Sequence, residues 1–192
     1  MAERDPAKLF PHDHVMRYTF VALVPPFVTP NMITMFRVVM TPVVLWLLYI
    51  GNFEVGVPLF LFLAFTDALD GSVARIRKQI TKWGSFYDPL ADKILIGSVV
   101  LLVVVQHVNL FFGLLIVILE ALLMTGGIVR SKRGHKVSAN VYGKTKMVLQ
   151  VLGVTMLLIA LWAGFDLFIP ISVGTLSLAI VFAVISLFTY GI

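Results

Sequence analysis

The sequence contains no cysteine. Disulfides and thiolate metal sites are therefore excluded, and the redox compartment is not readable from thiol usage. Charge is scarce as well: 13% of the 192 residues are Asp, Glu, Lys or Arg, against 59% hydrophobic. That balance excludes an ordinary soluble domain and points to a polytopic membrane protein of one-domain size. No internal repeat or low-complexity tract is visible. Residues 3–17 mix acids and bases, and no small-residue cleavage site follows a short apolar core, so no signal peptide is expected. The net charge is +5, but its placement says more than its size, and no nucleic-acid partner is expected.

What the chain does have is a series of apolar runs of about 20 residues, each enough to cross roughly 30 Å of hydrocarbon. The runs cover about 31–50, 57–77, 85–106, 109–130, 141–163 and 170–190. They predict an all-α integral membrane protein with six transmembrane helices. Residues 1–30 are set apart as an N-terminal interfacial amphipathic segment, with a disordered arm as the bland alternative, and 31–192 form the membrane domain. Lys and Arg fall in the N-terminal segment through Arg37, between the second and third runs, and between the fourth and fifth. The loops near Asn52, His107 and Asp166 have none, nor does the C-terminus. By the bias of cationic residues toward the cytoplasm, both termini and the basic loops are expected on the cytoplasmic side of the cell membrane. The basic loops also suit anionic lipid headgroups.

Against this apolar background, four of the ten acidic residues stand within 67–92: Asp67, Asp70, Asp88 and Asp92. Asp67 and Asp70 share one face at the end of the second helix, and Asp88 and Asp92 share one at the start of the third. The link is short, so these helices are expected to be antiparallel neighbours with their carboxylates converging. Pro89 suits the first turn of the third helix. Like charges brought together need a neutralising cation. An all-oxygen set suits Mg²⁺, Mn²⁺ or Ca²⁺. Several carboxylates can hold two ions that clamp a phosphoryl group, so a phosphate-bearing substrate follows. Gly71 and Ala74 let a ligand approach the backbone, or simply let two helices pack closely.

The spacing Asp67-x2-Asp70-Gly71-x2-Ala74-Arg75-x8-Gly84-x3-Asp88-x3-Asp92 resembles the signature of the CDP-alcohol phosphatidyltransferase family, with eight placed residues in a 26-residue window. Pro30-Asn31, Thr34 and Arg37 are similar to the start of that family's first helix. Asp88-Pro89-Leu90-Ala91-Asp92-Lys93, Val137-Ser138-Ala139 and Gly143-Lys144-Thr145-Lys146 look like its phosphatidylglycerophosphate synthase branch. The resemblance implies a homodimer of six-helix subunits with two divalent cations, Mg²⁺ or Mn²⁺. It implies transfer of a phosphatidyl group from CDP-diacylglycerol to an alcohol, releasing CMP, in phospholipid biosynthesis. Its metal ligands would be Asp67, Asp70, Asp88 and Asp92, with Asp92 also the catalytic base. The CDP-lipid residues would be Asn31, Thr66, Gly71, Ala74, Arg75 and Gly84.

A small phosphorylated acceptor, glycerol 3-phosphate first among them, needs fixed cations. Lys144, Lys146, Arg37 and Arg130 are the candidates, with Lys136 able to join them, although basic residues at helix ends also serve as topology determinants. Inositol phosphate, phosphatidylglycerol and other polar alcohols are alternative acceptors. One departure bears on this choice: the branch carries an Arg-Glu pair near the fourth helix, where this chain has Leu119-Glu120. Glu120 is read as an intramembrane functional group or an interhelical hydrogen-bonding one. Arg77, Lys78, Lys132 and Arg133 are read as solvated or lipid-facing anchors. A reading from another class, a divalent-cation transporter, also uses intramembrane aspartates, but the clustered acids trace no path across a bilayer.

Overall fold

A computed structural model describes residues 19, 21, 24–79, 81–132 and 141–190; the side chains of 82–86, 89, 128, 130–132 and 190 are outside the description. The expected interfacial segment 1–30 therefore lies mostly outside the described residues. Among those described, six helices are long and apolar enough to span a membrane, and no strand is present. They are α1 (Pro30–Tyr49), α2 (Phe53–Ile76), α3 (Lys82–His107), α4 (Leu110–Lys132), α5 (Val141–Ala163) and α6 (Phe168–Tyr190). The chain is an all-α integral membrane protein.

Local chemistry sets the helix ends. Thr29 accepts the Met32 N–H at 3.3 Å and caps α1, with Pro30 in the first helical position. α1 closes at Gly51, whose φ of 76° lets the Asn52 N–H reach back to the Leu47 carbonyl at 2.9 Å. Asn52 then accepts the Val55 N–H at 3.3 Å, starting α2 at Phe53 rather than the expected 57. Asn109 likewise accepts the Phe111 N–H at 2.8 Å and opens α4. α2 ends on the same left-handed geometry as α1, but with Lys78 at φ 55° where glycine is usual. α3 begins at Lys82, three residues before the expected 85. Pro89 therefore stands about two turns inside α3 rather than in its first turn.

The helices belong to two compact units. One comprises 1–46 with 58–96, and the other 47–57 with 97–192. In the first, Val21, Ile33 and Val73 form a buried cluster, with Val24, Val28, Leu69 and Ile76 packed on it. This cluster joins the start of α1, the end of α2 and the loop before α1. In the second, α5 and α6 pack tightly. A Cβ on Gly153 would lie 2.7 Å from Leu176 Cγ, so only glycine permits that approach. Large apolar side chains such as Trp46, Phe62, Phe111 and Phe188 remain exposed, as a chain solvated by lipid allows.

Candidate active site

The first unit gathers the acids. Asp67 and Asp70 project from α2 three residues apart, and Asp88 and Asp92 from α3 four apart. Asp70 and Asp92 are buried, at 2% and 6% exposure, while Asp67 and Asp88 are partly exposed. α1 supplies the groups that hold them. Arg37 is wholly buried at 0% exposure. Its Nη1 donates to Asp67 Oδ1 at 2.7 Å, its Nη2 to Asp70 Oδ2 at 2.5 Å, and its Nε to Thr66 Oγ1 at 3.5 Å. One guanidinium thus spans both α2 carboxylates and the Thr66 hydroxyl just before them.

Thr34, one turn before Arg37, ties in α3. Its hydroxyl lies 2.6 Å from Asp88 Oδ1, 3.3 Å from Asp70 Oδ2 and 3.3 Å from the Pro30 carbonyl. A hydroxyl has a single proton to donate. The shortest contact takes it, so Thr34 orients Asp88. Asp88 precedes the apolar stretch Leu90–His107 of α3. Burial pushes its carboxyl above the ordinary carboxylate range; the Thr34 hydroxyl and the Arg37 guanidinium pull it back, and the Asp67 charge pushes it up again.

Thr34 was the one participant given no role by the sequence. Its signal was available: Asn31, Thr34 and Arg37 recur every third residue and so share one face of an otherwise apolar helix. Arg37 was expected on the acceptor phosphate, and the structure places it on Asp67 and Asp70. Asn31 Oδ1 accepts the Thr81 hydroxyl at 3.1 Å. Thr66 is buried and donates to the Leu63 carbonyl at 2.6 Å. Gly71 has a specific neighbour: a Cβ there would come within 3.2 Å of Arg75 Nη1. The glycine makes room for the Arg75 side chain folding back along α2. Ala74 is partly buried beside them. The surroundings of Gly84 and the side chain of Arg130 lie outside the described residues, as do Lys136 and Arg133.

Arg77 is not the solvated or lipid-facing anchor expected. Its guanidinium donates to the carbonyls of Val24 at 2.5 Å, Pro25 at 3.2 Å and Val28 at 3.1 Å. Prolines in this loop offer carbonyls but no N–H, which suits them to a donor-only partner.

The second unit holds its own ion pair. Glu120 on α4 bonds Lys146 on α5, and both side chains are largely buried. With Leu119 and Gln150 they line a small cleft. Where the family branch places an arginine beside the glutamate, Leu119 is apolar and buried, and the neutralising charge comes from α5. Lys144 is exposed near the start of α5.

The donor set tests whether divalent cations fit. Every candidate ligand in the first unit is a carboxylate or hydroxyl oxygen, the chemistry that hard cations prefer. Among the described residues, no three acidic or histidine side chains are grouped around a single ion position; Arg37 supplies the positive charge between Asp67 and Asp70. The residue types fit Mg²⁺ or Mn²⁺.

Fold and site together define a class: a six-helix membrane protein in which Asp67 and Asp70 of the second helix and Asp88 of the third meet polar groups of the first. Residues 27–189 match the family model described as CDP-alcohol phosphatidyltransferase, and the chain belongs to that family. Among similar proteins, one from Bacillus subtilis (strain 168) named "CDP-diacylglycerol--glycerol-3-phosphate 3-phosphatidyltransferase" is 31% identical over 146 residues, covering 68% of this chain and 76% of that protein. A Pseudomonas fluorescens protein with the same name is 39% identical over 88 residues, 44% of this chain and 45% of its own length. A Drosophila melanogaster protein named "Probable cardiolipin synthase (CMP-forming)" is 45% identical over 73 residues, 38% of this chain. The chain spans 23% of the length of that Drosophila relative and under half of the Pseudomonas one.

Proposed function

We propose that this protein transfers a phosphatidyl group from CDP-diacylglycerol to a small alcohol, glycerol 3-phosphate foremost, and releases CMP. The observation that carries the reading is the meeting of α2 and α3 carboxylates on Arg37 and Thr34 of α1. Family membership gives that meeting its chemistry. Relatives named for glycerol 3-phosphate favour that acceptor, and the relative named for cardiolipin synthesis keeps phosphatidylglycerol among the acceptors to be tried.

Asp67, Asp70, Asp88 and Asp92 would hold two divalent cations, Mg²⁺ or Mn²⁺, which when bound supply positive charge to the pyrophosphate of the CDP-lipid. Asp92 accepts the proton of the acceptor hydroxyl, because an alcohol is a weak nucleophile at neutral pH. The hydroxyl oxygen attacks the β-phosphorus that bears diacylglycerol, and the bond to the CMP oxygen breaks. Thr34 keeps the Asp88 carboxylate turned toward α1, and Arg37 keeps Asp67 and Asp70 together. Gly71, Ala74, Arg75, Thr66, Asn31 and Gly84 form the CDP-lipid side. Lys144 is the acceptor-phosphate cation best supported, since it is exposed while Lys146 is paired with Glu120. The distribution of Lys and Arg supports a cytoplasmic site and cytoplasmic termini, and the family resemblance supports a homodimer.

The test is direct. Purified protein is given CDP-diacylglycerol, Mg²⁺ or Mn²⁺, and a panel of alcohols and phosphorylated alcohols, with products identified by mass. The expected products are CMP and phosphatidylglycerophosphate. CMP formation with no acceptor in the panel would overturn the acceptor class, and absence of CMP throughout would overturn the transferase reading. Asp92→Asn is expected to abolish turnover while keeping CDP-lipid binding; equal loss of both would remove its separate role as base.

A further inference from the structure

Arg77 lies outside the eight-residue signature, and the functional reading leaves it without a task. We infer that Arg77 is a positioning residue that sets the depth of α1 beside α2, and so holds Thr34 and Arg37 level with the aspartates. Its two terminal nitrogens bond three carbonyls of the loop that leads into α1, at Val24, Pro25 and Val28. Arg77 itself directly follows the last residue of α2. The strap therefore joins the end of one helix to the beginning of the other.

The arm lengths are compatible. Thr34 lies six residues after Val28, and Asp70 seven residues before Arg77. With roughly 1.5 Å of rise per helical residue, the four helical steps from Pro30 to Thr34 rise about 6 Å. The two non-helical steps from Val28 add up to roughly 3.3 Å each, and the α2 arm is about 10.5 Å. Thr34 and Asp70 thus fall at one level, where they touch at 3.3 Å. Three residues further along α1, Arg37 meets Asp67, three residues back along α2. This is the register of antiparallel neighbours counted from a common end. A slip of one turn moves one helix by about 5.4 Å, beyond the roughly 4 Å reach of an ion pair. Nothing in the apolar cluster beside the strap fixes the register as sharply, because Val and Ile contacts are non-directional. The Thr81–Asn31 hydrogen bond adds a second tie at the same end.

This inference rests on the proposed transferase reading only for its activity measurement, so register is measured separately. The chain has no cysteine of its own, so nitroxide labels on Val39→Cys and Phe62→Cys, both exposed positions of the first unit, report the spacing of α1 and α2 by pulsed electron resonance. The full chain in detergent is compared with Arg77→Ala and Arg77→Lys in that background. Arg77→Ala is expected to shift or broaden the distance distribution. In the unlabelled protein it is expected to lower kcat by roughly 10- to 100-fold, the scale of an ångström-sized misplacement, with a smaller change in the KM for CDP-diacylglycerol. Arg77→Lys keeps the charge but not the two-nitrogen span, and is expected to restore less than half of the loss. An unchanged distance distribution in Arg77→Ala overturns the inference, as does a lysine variant equal to wild type, which would make Arg77 a topology anchor. If wild type forms no CMP while Arg77→Ala still shifts the distance distribution, the positioning role is upheld and the transferase reading is overturned instead.

Discussion

Replacing Arg37 with glutamine tests the centre of the site most sharply. The substitution keeps a hydrogen-bonding side chain but removes the guanidinium charge that bonds both Asp67 and Asp70. Asp67 is 38% exposed, so its share of the loss is small. Asp70 is 2% exposed and is left as a buried carboxylate without its cation, a defect of about 3–5 kcal/mol. In a chain of this size that corresponds to a drop of roughly 6–20 °C in the unfolding midpoint. The assay is thermal or denaturant unfolding of the purified protein in one detergent, for Arg37→Gln, Asp70→Asn and the double variant. Because the two residues bond directly, the double variant is expected to be milder than the sum of the singles by about 0.5–3 kcal/mol. Mn²⁺ is expected to stabilise Arg37→Gln more than wild type, since it brings charge to the carboxylates that lost it. Additivity within about 0.3 kcal/mol would refute the reasoning, as would an Arg37→Gln protein as stable as wild type.

Thr34→Val removes the hydroxyl that orients Asp88 at nearly constant volume; Mn²⁺ affinity, read by titration with electron resonance, is expected to fall on the order of 10- to 100-fold. Gly153→Val sets a branched side chain against Leu176 and is expected to destabilise by about 1–3 kcal/mol. Gly97→Ala, with nothing within 4 Å of its new Cβ, is the control and should leave stability unchanged or raise it by up to about 1 kcal/mol through helix propensity. Glu120→Gln strands the Lys146 cation inside the second unit at about 3–5 kcal/mol, and adding Lys146→Met is expected to recover most of that in the same unfolding assay. Lys78→Gly relieves a left-handed backbone at an exposed position and is expected to raise stability by up to about 1 kcal/mol.

The six spans were legible because hydrocarbon thickness fixes their length; in the structure, left-handed Gly51 and Gly164 stop two of them. The starts of α2 and α3 were read late. Asn52 opens α2 by capping, a local hydrogen bond that hydropathy does not register. The aspartates were legible because acids among apolar residues demand a partner. Their partners were harder to see. Thr34 and Asp88 lie 54 residues apart, and single-chain spacing does not say which faces of two helices meet. Arg37 and Arg77 were both read by charge alone, as a phosphate ligand and an anchor. The structure uses them as hydrogen-bond forks, one on carboxylates and one on carbonyls. Lys146 shows the same limit: its sequence position suits a phosphate contact, but Glu120 on another helix takes it.

The buried Arg37 also bears on how the protein is made. α1 reaches the insertion machinery carrying an arginine whose carboxylate partner, Asp67, is 30 residues further along the chain. At a helix centre an arginine is opposed by about 2.5–3.5 kcal/mol and an aspartate by a similar amount. Arg37, about two turns into α1, and Asp67 and Asp70, toward the end of α2, carry at most that cost. Neutralised against each other, the two segments lose most of that opposition. α1 and α2 are therefore best suited to enter the bilayer together as a hairpin, with α1 waiting at the interface until α2 has been synthesised.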